Sequence, residues 1–183
     1  GRMSITHHEH NQYQRRRFAA SIGTFKEPVP EEIQERTSFI VASAKLSASD
    51  RVLDVGTGTG ALLADICRWQ VHDVVAWCGD VVDLPIEMGL FDAAFLNAMF
   101  GNVWDQRKTL RILAERLEQG GRIVISHPMG ASFVSMLHVS DPLMVPHELP
   151  CRDEIADLMA GTPLQLSRFL NDEDLYLCVL VKE

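Results

Sequence analysis

Apolar residues along the chain fall into two rhythms. Arg51–Val55, Asp73–Cys78, Phe91–Asn97 and Arg122–Ser126 are short apolar runs bounded by turn residues, and they read as buried strands. Between them lie longer segments with helical spacing. One opens at Pro30-Glu31-Glu32, because proline and acids suit a first turn, and Ile33, Phe39, Ile40 and Leu46 give its apolar face. The others are roughly Gly60–Trp69, an amphipathic Arg107–Glu118 ending at Gly120-Gly121, and a short Arg152–Ala160. Three prolines from Pro142 to Pro150 mark an irregular stretch. Leu164–Leu170 and Leu175–Val181, joined by Asn171-Asp172-Glu173-Asp174, read as a closing antiparallel pair. Strands alternating with helices predict an α/β fold on a mostly parallel sheet, with helices on both faces. The polar, His-rich residues 1–11 are expected to be mobile, and residues 12–26 partly helical. The division predicted is a tail and helical lid over residues 1–46, then a single main domain over residues 47–183.

One strand leads into chemistry. Leu53-Asp54-Val55-Gly56-Thr57-Gly58-Thr59-Gly60 is followed by Ala61-Leu62-Leu63-Ala64-Asp65-Ile66, a strand, a glycine turn and a helix. That layout lets main-chain N–H groups and a helix N-terminus approach a ligand closely. The spacing is G-x-G-x-G, whereas the dinucleotide fingerprint is G-x-G-x-x-G, so a nicotinamide oxidoreductase fits poorly. Asp54 sits in the strand end, where a carboxylate suits a cationic or hydroxyl-rich ligand better than a pyrophosphate.

This pattern is similar to that of class I S-adenosylmethionine-dependent methyltransferases, which have a Rossmann-like sheet. Three further stretches follow in that family's order. Gly79-Asp80-Val81-Val82-Asp83-Leu84-Pro85 resembles its G-D-x-x-x-L-P element, and Phe91-Asp92-Ala93-Ala94-Phe95-Leu96-Asn97 resembles its F-D strand. Leu117-Glu118-Gln119-Gly120-Gly121 resembles its L-x-P-G-G turn, with Gln119 replacing the proline. The resemblance spans roughly Arg51 to Ser126. It implies S-adenosyl-L-methionine as cofactor, lined by Asp54, Gly56, Thr57, Gly58, Gly60, Asp80, Val81 and Asn97. Asp54 would accept hydrogen bonds near the methionine ammonium. Asp80 would accept from the adenine amine, or else simply cap its turn, while the Val81 N–H donates to the ring. Stretches such as Ile125-Ser126-His127-Pro128 also resemble methyltransferase-like proteins of plants and algae, which sets a plastid stroma beside the cytoplasm as a location.

One departure stands out. The family normally places a ribose-gripping acid after its second strand, then a helix and a third strand ending at the Gly-Asp element. Here Trp77-Cys78-Gly79-Asp80 follows the second strand at once. A strand–helix–strand unit needs about 30 residues, and the crossover alone about a dozen. Three explanations are open: a segment is missing from the sequence between Ala76 and Trp77, the protein has a true deletion, or Asp80 is itself the ribose acid. The Leu84-Pro85 and Phe91-Asp92 context fits the adenine-side register and favours the first.

Charge and composition narrow the partners. A net charge of −8 argues against nucleic acid, whose phosphates are bound mainly by Lys and Arg. Arg15-Arg16-Arg17 then reads as a solvated helix face. An N-P-P-Y element for methylating bases is absent, since the chain has Asn97-Ala98-Met99-Phe100. The acceptor expected is a small molecule. The four cysteines show no metal-ligand spacing and suit a reducing compartment. No run approaches the roughly 20 apolar residues of a membrane span. The oligomeric state stays open.

Methyl transfer needs chiefly alignment of nucleophile and methyl carbon, with a base only where a proton must leave. Asn97 and His127, each ending a strand, are the candidates to border the reacting atoms. His127, His138, Asp141 and His147 read as a base with an orienting acid, as a metal site, or as loop residues making local hydrogen bonds. Trp77 and Trp104 could stack on a ring or simply belong to the rim. Tyr13, Arg17 and Phe18 are candidates to face a substrate from a lid. The alternative function is a catalytically inactive binding or regulatory module on the same fold.

Overall fold

The computed structural model describes residues 6–12, 29–56 and 60–183. The elements are α1 (described over residues 7–12), α2 (Glu31–Ala42), β1 (Arg51–Val55), α3 (Leu63–Arg68), β2 (Asp73–Trp77), β3 (Phe91–Asn97), α4 (Gln106–Glu115), β4 (Leu117–His127), α5 (Gly130–Ser140), α6 (Arg152–Met159), β5 (Leu164–Asn171) and β6 (Tyr176–Lys182). Six strands form one sheet in the order β2-β1-β3-β4-β6-β5. The first four are mutually parallel, and β6 runs antiparallel to both β4 and β5.

Strand alternation sorts the core into two layers. Leu53, Val55, Ala94, Leu96, Ile123 and Ile125 pack on one face with Leu110 and Leu113 of α4. Val52, Ala93, Phe95 and Val124 pack on the other with Ile40 and Val41 of α2 and Ile66 of α3. Ser38 ties α2 to α3 by donating to Asp65 Oδ1 at 2.8 Å.

No strand among the described residues lies beyond β2. It pairs with β1 from Arg51↔Asp73 to Val55↔Trp77, and its side chains are only exposed or half-buried. The chain then returns to β3 through two 3₁₀ turns, Val81–Asp83 and Ile86–Met88, without a helix.

Three expectations need correction. Residues 7–12 are helical and His10 is buried, so this part of the terminus is held in place. The helix predicted to reach Glu118 ends at Glu115. There the Arg116 guanidinium binds the carbonyls of Leu84, Pro85 and Gly89. Leu117 already pairs with Phe91, and the ladder skips to Ala93↔Arg122, so residues 118–121 bulge. Finally, Gly130–Ser140 forms a helix that the pattern did not signal. The expected helix over residues 12–26, with Tyr13, Arg17 and Phe18, lies almost wholly outside the described residues.

Arg122 joins the two ends of this architecture. Its guanidinium donates to the carbonyls of Ala44, Lys45 and Asp92 and to Asp50 Oδ2 at 2.7 Å. Arg122→Ala leaves that acid and those carbonyls short of partners. It is expected to destabilise the fold by about 2–3 kcal/mol, read from urea unfolding.

Candidate functional site

Parallel pairing brings the C-terminal ends of β1, β2, β3 and β4 to one edge of the sheet. The chain order reverses at β1, with β2 on one side and β3 on the other, and such a switch point opens a crevice for ligands.

At the end of β1, Asp54 shares a face with Val52 and aligns with Phe95. It is 0% exposed, and among the described residues neither carboxyl oxygen has a hydrogen-bond partner. Burial pushes its pKa up to about 7, because the charged form loses its hydration without gaining a counter-ion. Gly56 follows with φ +76°, and its N–H donates to the Trp77 carbonyl at 2.7 Å. A Cβ there would lie 2.6 Å from Met99 Sδ, so the glycine lets the Met99 thioether close over the turn. Gly60 also has positive φ, at +65°. Thr57 and Gly58 lie outside the described residues.

Past the end of β2, the Trp77 indole donates to the Asp80 carbonyl at 3.0 Å and holds the bend. Asp80 Oδ1 accepts from the Val82 N–H at 3.0 Å, which is the turn-capping role, and Val81 is buried beneath it. Asp80 Oδ2 faces α1: His7 Nε2 lies 2.5 Å away and Asn11 Nδ2 3.4 Å. The His7 ring stacks on Trp104, with centroids 5.5 Å apart and planes 7° from parallel. A cleft of about 360 Å³ opens between α1 and the stretch around Asp80 and Asp83.

On the other side of the crevice, Asn97 Oδ1 accepts from Ser126 Oγ at 2.9 Å. Ala98, the next residue, is held at φ +55°, a conformation that costs a non-glycine residue about 1 kcal/mol. His127 is buried, and its Nδ1 accepts from the Met129 N–H at 3.1 Å. The ring proton therefore sits on Nε2. Burial lowers the ring's pKa to about 4, which keeps it neutral. With Nδ1 engaged, His127 presents Nε2–H at neutral pH. His138 Nδ1 donates to the Val145 carbonyl at 2.7 Å, and His147 Nε2 to the Trp104 carbonyl at 2.8 Å. The first bond is within seven residues, whereas His147 reaches a carbonyl 43 positions away in the chain. Among the described residues no group of three or more His, Cys, Asp or Glu is placed to hold a metal.

The chain matches the methyltransferase domain family over residues 25–161. It belongs to that family. This methyltransferase-family chain is 32% identical over 98 residues to a demethylmenaquinone methyltransferase of Mycolicibacterium vanbaalenii, a match covering 44% of the chain and 43% of the relative. It is 29% identical over 137 residues to a 3-hydroxy-5-methyl-1-naphthoate 3-O-methyltransferase of Streptomyces sahachiroi, covering 53% and 39%. The matches thus take in less than half the length of either curated relative. Among solved structures, a putative methyltransferase in complex with the Haloferax volcanii Trm112 activator superposes with a TM-score of 0.68 at 15% identity, covering 94% of this chain and 97% of that one. TnmH superposes at 0.65 with 22% identity, covering 96% and 61%. At such identities these structures establish the Rossmann-like methyltransferase fold.

Among the candidate site residues, Asp54, Gly56, Gly60, Asp80, Val81, Asn97 and His127 all belong to strand ends or the turns that follow them at this edge. His7, Asn11 and Met99 were not foreseen. His7 lies 73 positions from Asp80, and no local pattern in a short polar segment reveals where it docks. Within the described residues no helix is long and apolar enough to cross a membrane.

Proposed function

We propose that this protein transfers a methyl group from S-adenosyl-L-methionine to a small-molecule acceptor. The observation that carries this reading is Asp54, a fully buried carboxyl without a hydrogen-bond partner among the described residues, beside a positive-φ glycine at the switch point. Such a group is costly unless a ligand completes it, and an α-ammonium does so. The fit extends to Gly56, whose positive φ turns the chain directly after the strand, and to Asp80, whose carboxylate borders the cleft.

When bound, the cofactor supplies an electrophilic methyl group on a sulfonium. The remaining work falls to this chain's residues. Asp54 takes the ammonium, with the positive-φ Gly56 and Gly60 beside it. Asp80 and Val81 take the edge of the adenine. Asp80 is also the first acid past β2, so the ribose hydroxyls fall to the same short stretch, Asp80–Asp83. The match to the naphthoate enzyme runs over 137 residues yet takes in 53% of this chain's 183, so the relative is longer within the matched span. Asn97 and His127 border the acceptor side. His127 offers Nε2–H to an acceptor oxygen, a positioning contribution that suits a displacement governed by alignment.

The two relatives' names point to hydroxylated aromatic or quinol-type acceptors. The test is transfer of labelled methyl from S-adenosyl-L-methionine to a panel of hydroxynaphthoates and quinols, run beside calorimetric titration with S-adenosylhomocysteine. Binding with turnover supports the proposal. Binding without turnover on any acceptor supports an inactive module instead, and no binding removes both. The affinity also carries a sign. The ammonium pairs with ionised Asp54, whose pKa lies at about 7, so affinity for S-adenosylhomocysteine should rise from pH 5.5 to 8 and then level off. Below the plateau the loss approaches about tenfold per pH unit.

A further inference from the structure

His7 makes two contacts that a different kind of ring would make. Its Nε2 lies in hydrogen-bond reach of Asp80 Oδ2, at 2.5 Å, and its face lies on the Trp104 indole within 7° of parallel. Trp104 is itself anchored, since its carbonyl accepts from His147 Nε2. His10 tilts against the same indole at 5.3 Å, and Asn11 reaches the same Asp80 oxygen. A flat nitrogen heterocycle joined edge-on to a carboxylate and face-on to an indole is also how an aminopurine would be held. Its exocyclic amine donates to the carboxylate, and its face stacks on the aromatic ring.

We propose that Asp80 and Trp104 together form the nucleobase subsite and that His7 occupies it as an internal surrogate. Trp104 is then the stacking residue for the base, and α1 must move away before a nucleoside enters. This rests on the methyltransferase reading above and adds to it a residue and a competition. The chain's apparent affinity for the cofactor is reduced by the fraction of molecules in which α1 is docked. A lid that closes over a bound nucleoside would show the opposite sign, since His7 would then add to binding.

The test uses the full chain as wild type, His7→Ala and the double variant His7→Ala/Trp104→Ala. Each is titrated with S-adenosylhomocysteine and with adenosine by calorimetry and by tryptophan fluorescence. His7 is half-exposed on a short helix, so its removal leaves the core intact, and equal thermal melts verify this. The expected result is that His7→Ala binds both compounds about tenfold more tightly than wild type. The double variant should lose about tenfold or more relative to His7→Ala, as a stacking platform is removed. Equal or weaker binding by His7→Ala overturns the surrogate while leaving the methyltransferase reading in place. Unchanged affinity in the double variant removes Trp104 from the subsite. No binding by any of the three refutes the methyltransferase reading, and the surrogate falls with it.

Discussion

Asp54→Asn should make the ligand-free protein more stable at pH 8 and weaken its affinity for S-adenosylhomocysteine about 10- to 100-fold. The folded-state pKa of Asp54 is raised from the ordinary carboxylate range to about 7 by burial alone. For a group raised in this way, its stabilising share is fully present below the unfolded pKa, near pH 4, and is lost as pH rises through about 7. The span corresponds to at most about 4 kcal/mol of penalty for the ionised acid in the empty fold. Asparagine keeps the shape and cannot ionise. The variant should therefore exceed wild type by about 2–4 kcal/mol at pH 8, with the gap closing toward pH 4. Losing a charge-assisted contact to the ammonium should cost about 10- to 100-fold in affinity. Urea unfolding at pH 5 and pH 8 measures the first effect and calorimetry the second. Equal stability of the two proteins at both pH values would show that the acid already has a partner.

Gly130→Ala is expected to damage the fold and the acceptor side together. Gly130 opens α5 at φ +83°, and an added Cβ would meet the Glu173 carbonyl oxygen at 2.5 Å and its carbon at 3.1 Å. Both contacts are backbone, in the turn between β5 and β6, so no side chain can swing aside. The left-handed conformation and the clash add to about 3 kcal/mol, or roughly 6–12 °C in Tm for a chain of this size. The neighbouring Met129 N–H holds His127 through Nδ1, so the disturbance should reach that ring. Gly120→Ala is the control. It shares a positive φ, +78°, but nothing lies within 4 Å of its Cβ, and its cost should stay near 1 kcal/mol. A similar loss in both variants would assign the effect to backbone conformation alone.

The strands were legible because short apolar runs bounded by turn residues have few other readings, and β3 falls on Phe91–Asn97 as expected. The order Asp54, Gly56, Asp80, Asn97, His127 follows the strand ends, so local patterns sufficed to bring these residues to one edge. Other features needed the folded chain. Helix α5 is Gly-Ala-Ser-Phe-Val-Ser-Met-Leu-His-Val-Ser, apolar on several sides and led by a glycine, so no stripe announced it. Residues 118–121 left the helix because Arg116 is drawn to carbonyls around Leu84 and Leu117 pairs with Phe91, both long-range effects. Which nitrogen of His127 carries the proton is set by an amide two residues on, and composition says nothing about it. The docking of His7 against Asp80 and Trp104 depends on the sheet bringing those two together, which a polar terminal segment does not encode.

The most direct measurement of the central claim is proton release on binding. S-adenosylhomocysteine is titrated into wild type and Asp54→Asn in two buffers of different ionisation enthalpy, at pH 6 and at pH 8.5. If the Asp54 carboxyl must ionise to receive the ammonium, wild type should release close to one proton at pH 6 and almost none at pH 8.5, and Asp54→Asn should release none at either. Binding by wild type with no proton released at pH 6, or undiminished binding by Asp54→Asn, would contradict the account.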